Sequence, residues 1–331
     1  MDPREPLALS LAKWIVEAMR IVANTIPKSG THLLDRLLVL LGFGMVDLGG
    51  MRPHLVKSSY RFPLVDQRLK SILGLRKPED VMGIGPHLVD GGRFPPARRF
   101  LRGRGQKVTV GVVSPRRISR RWLAGRLSKV PDGGFVNAHC IYTPELADLF
   151  RQEGMKTVCI LRDPRDVAVS QMHYLKQLEN HFAHEEFMAL PSDSERLLVS
   201  IRGAELGGRK LQSLDERYRQ FLRWERDGGA AVVKFEDLVG TKGGGSAEAQ
   251  RLAVGGVARH LGVEVEEATV GVIEEELFGV GRTFRRGRIG GWREEFSEEH
   301  ERAVEEVLGS LLVELGYEAP PDTARRPGGC V

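Results

Sequence analysis

Eight residues near the start of the chain, TIPKSGTH at Thr25 to His32, combine what a phosphate site needs. A loop that leaves the carboxyl end of a strand and enters a helix presents backbone N–H groups and the positive end of the helix dipole to an anion. Lys28 adds a mobile positive charge, and Ser29 and Thr31 add hydroxyl donors. The residue order excludes a Walker A loop, in which lysine follows the second glycine; here Lys28 precedes Gly30. The plainer alternative is an ordinary strand-to-helix turn with a solvated lysine.

Two further segments have comparable chemistry. In CILRDPRDVAVSQMHYL, Cys159 to Leu175, Arg162 ends a strand, Pro164 suits the first turn of the next helix, and Ser170 lies two turns further in. An arginine at a strand end can take a phosphate bidentately while a serine donates its hydroxyl. The alternative is a salt-bridged helix start, with Arg162 and Arg165 paired to Asp163 and Asp166. In TFRRGRIGGWREEF, Thr283 to Phe296, Arg285 and Arg286 precede Gly287, which permits close backbone approach; otherwise this is a basic surface loop. HFAHEE, at His181 to Glu186, gathers histidines and carboxylates without the HExxH spacing and reads as a solvated helix end, so no metal site is expected.

The elements that must position these residues follow from the apolar pattern. IVANTI (21–26) reads as a buried strand and Thr31 to Leu41 as a helix. From Gly49 to Asp132 the pattern dissolves into Pro, Gly and Arg, with short helices and a strand near Val108 to Val113. GFVNAH (134–139) and KTVCIL (156–161) read as strands, Pro144 to Glu153 and Pro164 to Leu178 as helices. That alternation is the signature of a parallel sheet covered by helices. An amphipathic helix at Leu211 to Arg226, a strand AAVVKF (230–235), and helices at 247–261, 265–277 and 298–315 complete the α/β pattern.

Composition bounds the rest. With 331 residues, 41% hydrophobic and 28% charged, the chain can bury a full core, which excludes a disordered or fibrous protein. No run of about 18 uncharged apolar residues occurs, so no spanning helix is expected. The N-terminal LALSLAKWIVEAM is a poor signal peptide, and three cysteines without metal-type spacing favour a reducing cytoplasm. The net charge of +5 conceals an uneven distribution: Arg52 to Val130 holds 19 basic and 4 acidic residues. Without regularly interleaved aromatics this segment does not read as a nucleic-acid site.

Together and in order, PKSGT at Pro27 to Thr31, RDPRDVAVS at Arg162 to Ser170 and RRGRIGGW at Arg285 to Trp292 resemble the sulfotransferase family that uses 3′-phosphoadenosine 5′-phosphosulfate (PAPS). The resemblance spans Ile21 to Tyr317, with Arg52 to Val130 unmatched. It implies a three-layer α/β/α fold with a central parallel sheet, P-loop-like, forming one sulfotransferase domain over residues 1–318 with a basic insertion at 52–130 and a flexible tail at 319–331. It implies that Lys28, Ser29, Gly30, Thr31 and His32 hold the 5′-phosphosulfate, with Lys28 on the bridging oxygen. Arg162 and Ser170 would hold the 3′-phosphate, over which Arg285, Arg286 and Gly287 close. Phe235, in KFEDL, stands where the family has an adenine-contacting tyrosine. His139, in FVNAHCIY, matches the family's catalytic base.

The reaction so implied is in-line transfer of the sulfuryl group to a hydroxyl or amine, with no metal. Leu33, His32 and Asn137 replace an aromatic, a threonine and a lysine common in the family. The expected acceptor is a small-molecule, carbohydrate or lipid-linked compound, with the basic insertion biasing selection toward anions; arginines among Arg98 to Arg121 are expected to affect acceptor affinity more than PAPS binding. The dimerisation pattern of animal cytosolic members is absent, so oligomeric state does not carry over. The competing classes are a P-loop-like phosphotransferase or NTPase and a non-catalytic nucleotide-binding protein.

Overall fold

A computed structural model describes residues 19–46, 105–179, 181–278 and 288–319. In chain order they form β1 (Arg20–Thr25), α1 (Thr31–Leu40), β2 (Gly44–Met45), β3 (Lys107–Val110), β4 (Arg116–Ser119), α2 (Arg120–Leu127), β5 (Gly134–Ala138), α3 (Pro144–Gln152), β6 (Met155–Leu161) and α4 (Pro164–Gln177). There follow α5 (His184–Met188), α6 (Asp193–Arg202), β7 (Ala204–Leu206), β8 (Arg209–Leu211), α7 (Leu214–Arg226), β9 (Ala231–Lys234), α8 (Phe235–Leu238), α9 (Ala247–Leu261), α10 (Glu267–Glu276) and α11 (Glu298–Glu314).

The central sheet has five strands in the order β2-β5-β1-β6-β9, all parallel. Its inner strands are buried on both faces, which is why they read as continuous apolar runs rather than as alternation. Val22 and Ile26, with Val136, Cys159 and Leu161, face a core shared with α3, α4, α7 and α11. Ile21 and Ala23, with Phe135, Val158 and Ile160, face a second core built with α1, α9 and α10. The result is the three-layer α/β/α arrangement.

Local signals fix the helix starts around the sheet. Thr143 accepts the Leu146 N–H ahead of Pro144, and Asp163 accepts the Arg165 N–H ahead of Pro164. The amphipathic helix expected from Leu211 begins instead at Leu214, because Ser213 and Glu216 form a capping box and Leu211 belongs to the β7–β8 hairpin.

Of the segment from 52 to 130, read as a basic insertion with short helices and a strand near Val108 to Val113, the described part holds β3, β4 and α2. Residues 107–119 form an antiparallel hairpin. Val108, Val110, Val112, Val113, Ile118, Leu123, Leu127 and Val130 lie in the same core as α3 and α4. Arg120 straps this unit to α3 through the Glu145 carbonyl at 3.0 Å and Gln152 Oε1 at 2.6 Å. Its basic residues therefore sit on a packed element. Among the described residues no helix is long and apolar enough to cross a membrane.

Candidate active site

Because every strand of the central sheet runs the same way, the segments that follow β1, β5, β6 and β9 meet at one edge, the carboxyl edge. The register places Asn24 opposite Ala138 on one side and Thr25 opposite Ile160 on the other. α1 leaves toward one face while α3 and α4 pack on the other, so the loops diverge at β1 and open a crevice.

The loop after β1 is tightly specified. The Ser29 N–H donates to the Ile26 carbonyl at 3.0 Å, closing the turn. Lys28 has a φ of 75°, the one non-glycine in the left-handed region among the described residues. Such a conformation costs about 1–2 kcal/mol in an L-residue and calls for an explanation by function. Gly30 has a φ of 118°, and a Cβ there would lie 2.8 Å from Phe235 Cδ2 and 3.0 Å from Ile160 Cδ1. Only glycine satisfies both demands, and the contact brings Phe235 of α8 under the loop. No side chain caps the N-terminus of α1; the Leu33 N–H donates to the Gly30 carbonyl at 2.9 Å, which leaves the dipole and the amides of Thr31 and His32 for an anion. Across the crevice, Lys28 Nζ lies 4.5 Å from the centre of the Tyr174 ring on α4.

His139 directly follows β5. Its Nδ1 lies 2.8 Å from the Thr25 carbonyl oxygen and 2.8 Å from Thr25 Oγ1. A carbonyl only accepts, so Nδ1 carries the hydrogen and Nε2 the lone pair in the neutral ring. Burial lowers the His139 pKa to about 4, against the weaker opposing pull of the Thr25 hydrogen bond and the Asp35 charge. Asn24 fixes the backbone beside it: its amide donates to the Cys140 carbonyl at 3.0 Å, and its Oδ1 accepts the Cys140 N–H at 2.9 Å. Trp224 Nε1 also donates to that carbonyl, at 2.8 Å. The imidazole is thus a buried neutral base with a fixed tautomer.

On the other side of β1, Arg162 lies at the end of β6 with its guanidinium 4.4 Å from the centre of the Phe235 ring. Its Nη2 donates to the Arg288 carbonyl at 2.9 Å, and its Nε is buried with no hydrogen-bond partner among the described residues. A buried orphan N–H of this kind fits an anionic ligand. The expected ion pairs are present as well, Arg162 with Asp166 at 3.3 Å and Arg165 with Asp163 at 2.8 Å. The salt-bridged helix start and the anion-directed arginine coexist. Glu236 accepts the Asp163 N–H at 2.9 Å and the Tyr317 hydroxyl at 2.8 Å, tying this corner to the residues that follow α11.

The residues singled out from the sequence divide as follows. Lys28, Gly30, Thr31, His32, His139, Arg162 and Phe235 stand around the carboxyl edge, and Ser170 is half-buried on α4. Thr31 Oγ1 pairs with Thr25 Oγ1 at 2.9 Å, and His32 Nδ1 lies 3.7 Å from the buried carboxylate of Asp35. Two of the singled-out residues make contacts that the sequence did not anticipate. The Ser29 hydroxyl is fully buried and donates to the carbonyls of Ile26 at 2.7 Å and Ile160 at 3.1 Å, which straps the loop to β6. Phe235 is buried with Arg162 over its ring and Gly30 at its edge, which makes it the arginine's platform rather than an open stacking face. Arg285, Arg286 and Gly287 lie outside the described residues.

Asn24, Thr25, Asp35 and Tyr174 were not singled out from the sequence. A polar Asn24 inside IVANTI and a lone acid inside THLLDRLLVL were signals for two of them. Asn137, in the place of a lysine, donates to Asp35 at 3.1 Å.

The family model described as the sulfotransferase domain matches residues 19–240. No curated protein matches. Solved structures that align with the chain include mouse sulfotransferase SULT7A1 complexed with PAP, at 14% identity over 91% of this chain and 90% of that one, TM-score 0.49. Two others are retinol dehydratase in complex with androsterone and inactive cofactor PAP, at 17% identity over 96% and 87%, TM-score 0.49, and retinol dehydratase with retinol and PAP, at 17% over 97% and 88%, TM-score 0.48.

Proposed function

The chain belongs to the sulfotransferase domain family, and from that premise we propose that it transfers the sulfuryl group of PAPS to a hydroxyl or amine acceptor by in-line displacement. The observation that carries this reading is the His139 geometry: a buried, neutral imidazole whose Nδ1 hydrogen is committed to the Thr25 carbonyl, beside the loop that bears Lys28. Nε2 is then the atom that takes the acceptor's proton. PAPS supplies the sulfuryl group, whose bond to the bridging phosphate oxygen breaks as the acceptor's oxygen or nitrogen bonds to sulfur. Lys28 meets the negative charge that grows on that bridging oxygen, and the first-turn amides of α1 hold the phosphate that departs.

The nucleotide's 3′-phosphate falls to Arg162, whose buried Nε has no other partner among the described residues, with Ser170 donating from α4. Phe235 holds the guanidinium in place by its ring face. The acceptor side is assigned to the neighbourhood of His139 and the β3–β4 hairpin, whose Gly111 carbonyl accepts the Ile141 N–H at 3.0 Å, with the arginines of that unit favouring an anionic acceptor.

The test is transfer of radiolabelled sulfate from PAPS across a panel of phenols, sugars, lipid headgroups and amines. Labelled product is expected for at least one class, and Lys28→Ala is expected to abolish it. Binding of PAPS without transfer to any acceptor would favour a non-catalytic nucleotide-binding protein. ATP competing on equal terms with 3′-phosphoadenosine 5′-phosphate (PAP) would favour a phosphotransferase.

A further inference from the structure

Asp166, one turn into α4, has no part in the reaction described above, yet it is the point where three segments meet. It is 4% exposed. Its Oδ1 accepts the Trp292 N–H at 3.0 Å and its Oδ2 accepts the Gly290 N–H at 3.0 Å. Arg162 Nη2 stands 3.3 Å from Oδ2 and donates to the Arg288 carbonyl at 2.9 Å. The same stretch is gripped a second time by Arg165, whose guanidinium lies 4.3 Å from the centre of the Trp292 ring.

A buried carboxylate is expensive unless its oxygens are satisfied and its charge is balanced. Here two amides supply the first and one arginine the second. Burial pushes the Asp166 pKa up, while Arg162 and the amides of Gly290 and Trp292 pull it back. Gly290 has a φ of 71°, and that backbone turn presents the two amides to the two carboxylate oxygens. Arg162 is therefore held on three sides, by the Phe235 ring, by Asp166 and by the Arg288 carbonyl. Its Nε is buried with no hydrogen-bond partner among the described residues.

We propose that Asp166 is a positioning residue for recognition of the 3′-phosphate. By holding the Arg162 guanidinium on one side and the Gly290–Trp292 backbone on the other, it fixes the angle at which Arg162 meets that phosphate. This rests on the assignment of a 3′-phosphonucleotide to the site. A residue acting in this way affects ligands that carry a 3′-phosphate and spares those that do not.

The experiment compares equilibrium binding of PAP and of AMP, which lacks the 3′-phosphate, to the full chain and to Asp166→Asn. The wild type is expected to prefer PAP. Asp166→Asn is expected to weaken PAP binding about tenfold, as loss of one well-oriented charge-assisted hydrogen bond would, with AMP binding changed less than twofold. Asp166→Glu, which keeps the charge but displaces it by one methylene, is expected to lower the same PAP-to-AMP ratio by a smaller factor, and it decides the question if the asparagine variant does not fold. Arg162→Lys combined with Asp166→Asn is expected to cost less than the two single losses together, because both act through one contact.

An unchanged ratio, or equal losses for the two nucleotides, would overturn the proposal while leaving the site assignment standing. Tighter PAP binding in Asp166→Asn would also overturn it, since the carboxylate would then be competing with the phosphate for Arg162. A wild type that does not distinguish PAP from AMP would remove the site assignment itself, and the proposal with it.

Discussion

Around the ends of β1 and β5 the contacts run mostly between neutral groups: Asn24 with Cys140, Thr25 with His139, Ser29 with two carbonyls. Around the ends of β6 and β9 they involve charged side chains: Arg162 with Asp166, Arg165 with Asp163, and Glu236 with a backbone amide and a tyrosine. The difference follows from what each half is assigned to do. A base must stay neutral until it takes a proton, and an adjacent fixed carboxylate would raise its pKa and charge it early. Asp35 is the acid on that side, and its pull on His139 is outweighed by burial. A phosphate, by contrast, needs cations that survive burial, and those cations must be balanced by acids before the ligand arrives.

The sharpest way to separate the two halves is His139→Asn. Turnover is expected to fall by about 10²–10⁴-fold, the usual contribution of a positioned general base, while PAP affinity changes by less than about twofold. Single-turnover sulfate transfer and equilibrium binding, measured on the same preparation, check this. A parallel loss of PAP binding would show that the halves are not separable.

Next in size is the hinge between them. Gly30→Ala places a Cβ against Phe235 in a conformation that L-residues avoid, so both the loop and the arginine's platform are displaced. A destabilisation of about 1–3 kcal/mol is expected in urea unfolding, together with weaker PAP binding.

The pH dependence of the neutral half should be displaced from that of an ordinary histidine. With the His139 pKa lowered from 6.5 to about 4, kcat/KM should lose its base only as pH falls toward about 4. The sign for stability is the same: the unfolded chain takes up this proton near pH 6.5 and the folded chain does not, so stability from this group is full above 6.5 and is lost as pH falls through about 4. An acid limb near 6.5 would mean that the imidazole is solvated in the working enzyme.

The smallest effect is assigned to Ser29→Ala. Its hydroxyl straps the loop to β6, so stability should drop by about 0.5–1.5 kcal/mol and PAP affinity should hold within about twofold. A tenfold loss of affinity by titration calorimetry would return the hydroxyl to the phosphate.

Much of this was legible in the chain itself. The strands of the inner sheet announced themselves because burial on both faces leaves unbroken apolar runs, and the starts of α3 and α4 did so through Pro144 and Pro164, whereas the Ser213 capping box that starts α7 went unread. Residues 187–210, by contrast, hold α6 and most of the β7–β8 hairpin and went unassigned. After Gly105 the strand near Val108 to Val113 was legible, but its pairing with Arg116–Ser119 and its burial were not, because the core that covers it comes from partners more distant in sequence.

Sequence alone determined the class of fold, the glycine at position 30, and the residue types that could meet two phosphates and a proton. These are local matters: backbone conformation, apolar period, and charge are properties of a few neighbouring residues. What each polar atom is used for was decided only by tertiary structure. Whether Ser29 donates to a ligand or to Ile160, whether Phe235 offers its face or lends it to Arg162, and which tautomer His139 holds all depend on partners 73 to 131 positions away. A hydroxyl has one hydrogen to give, a ring few faces, and a neutral imidazole one N–H, so the first partner that packing supplies settles the role.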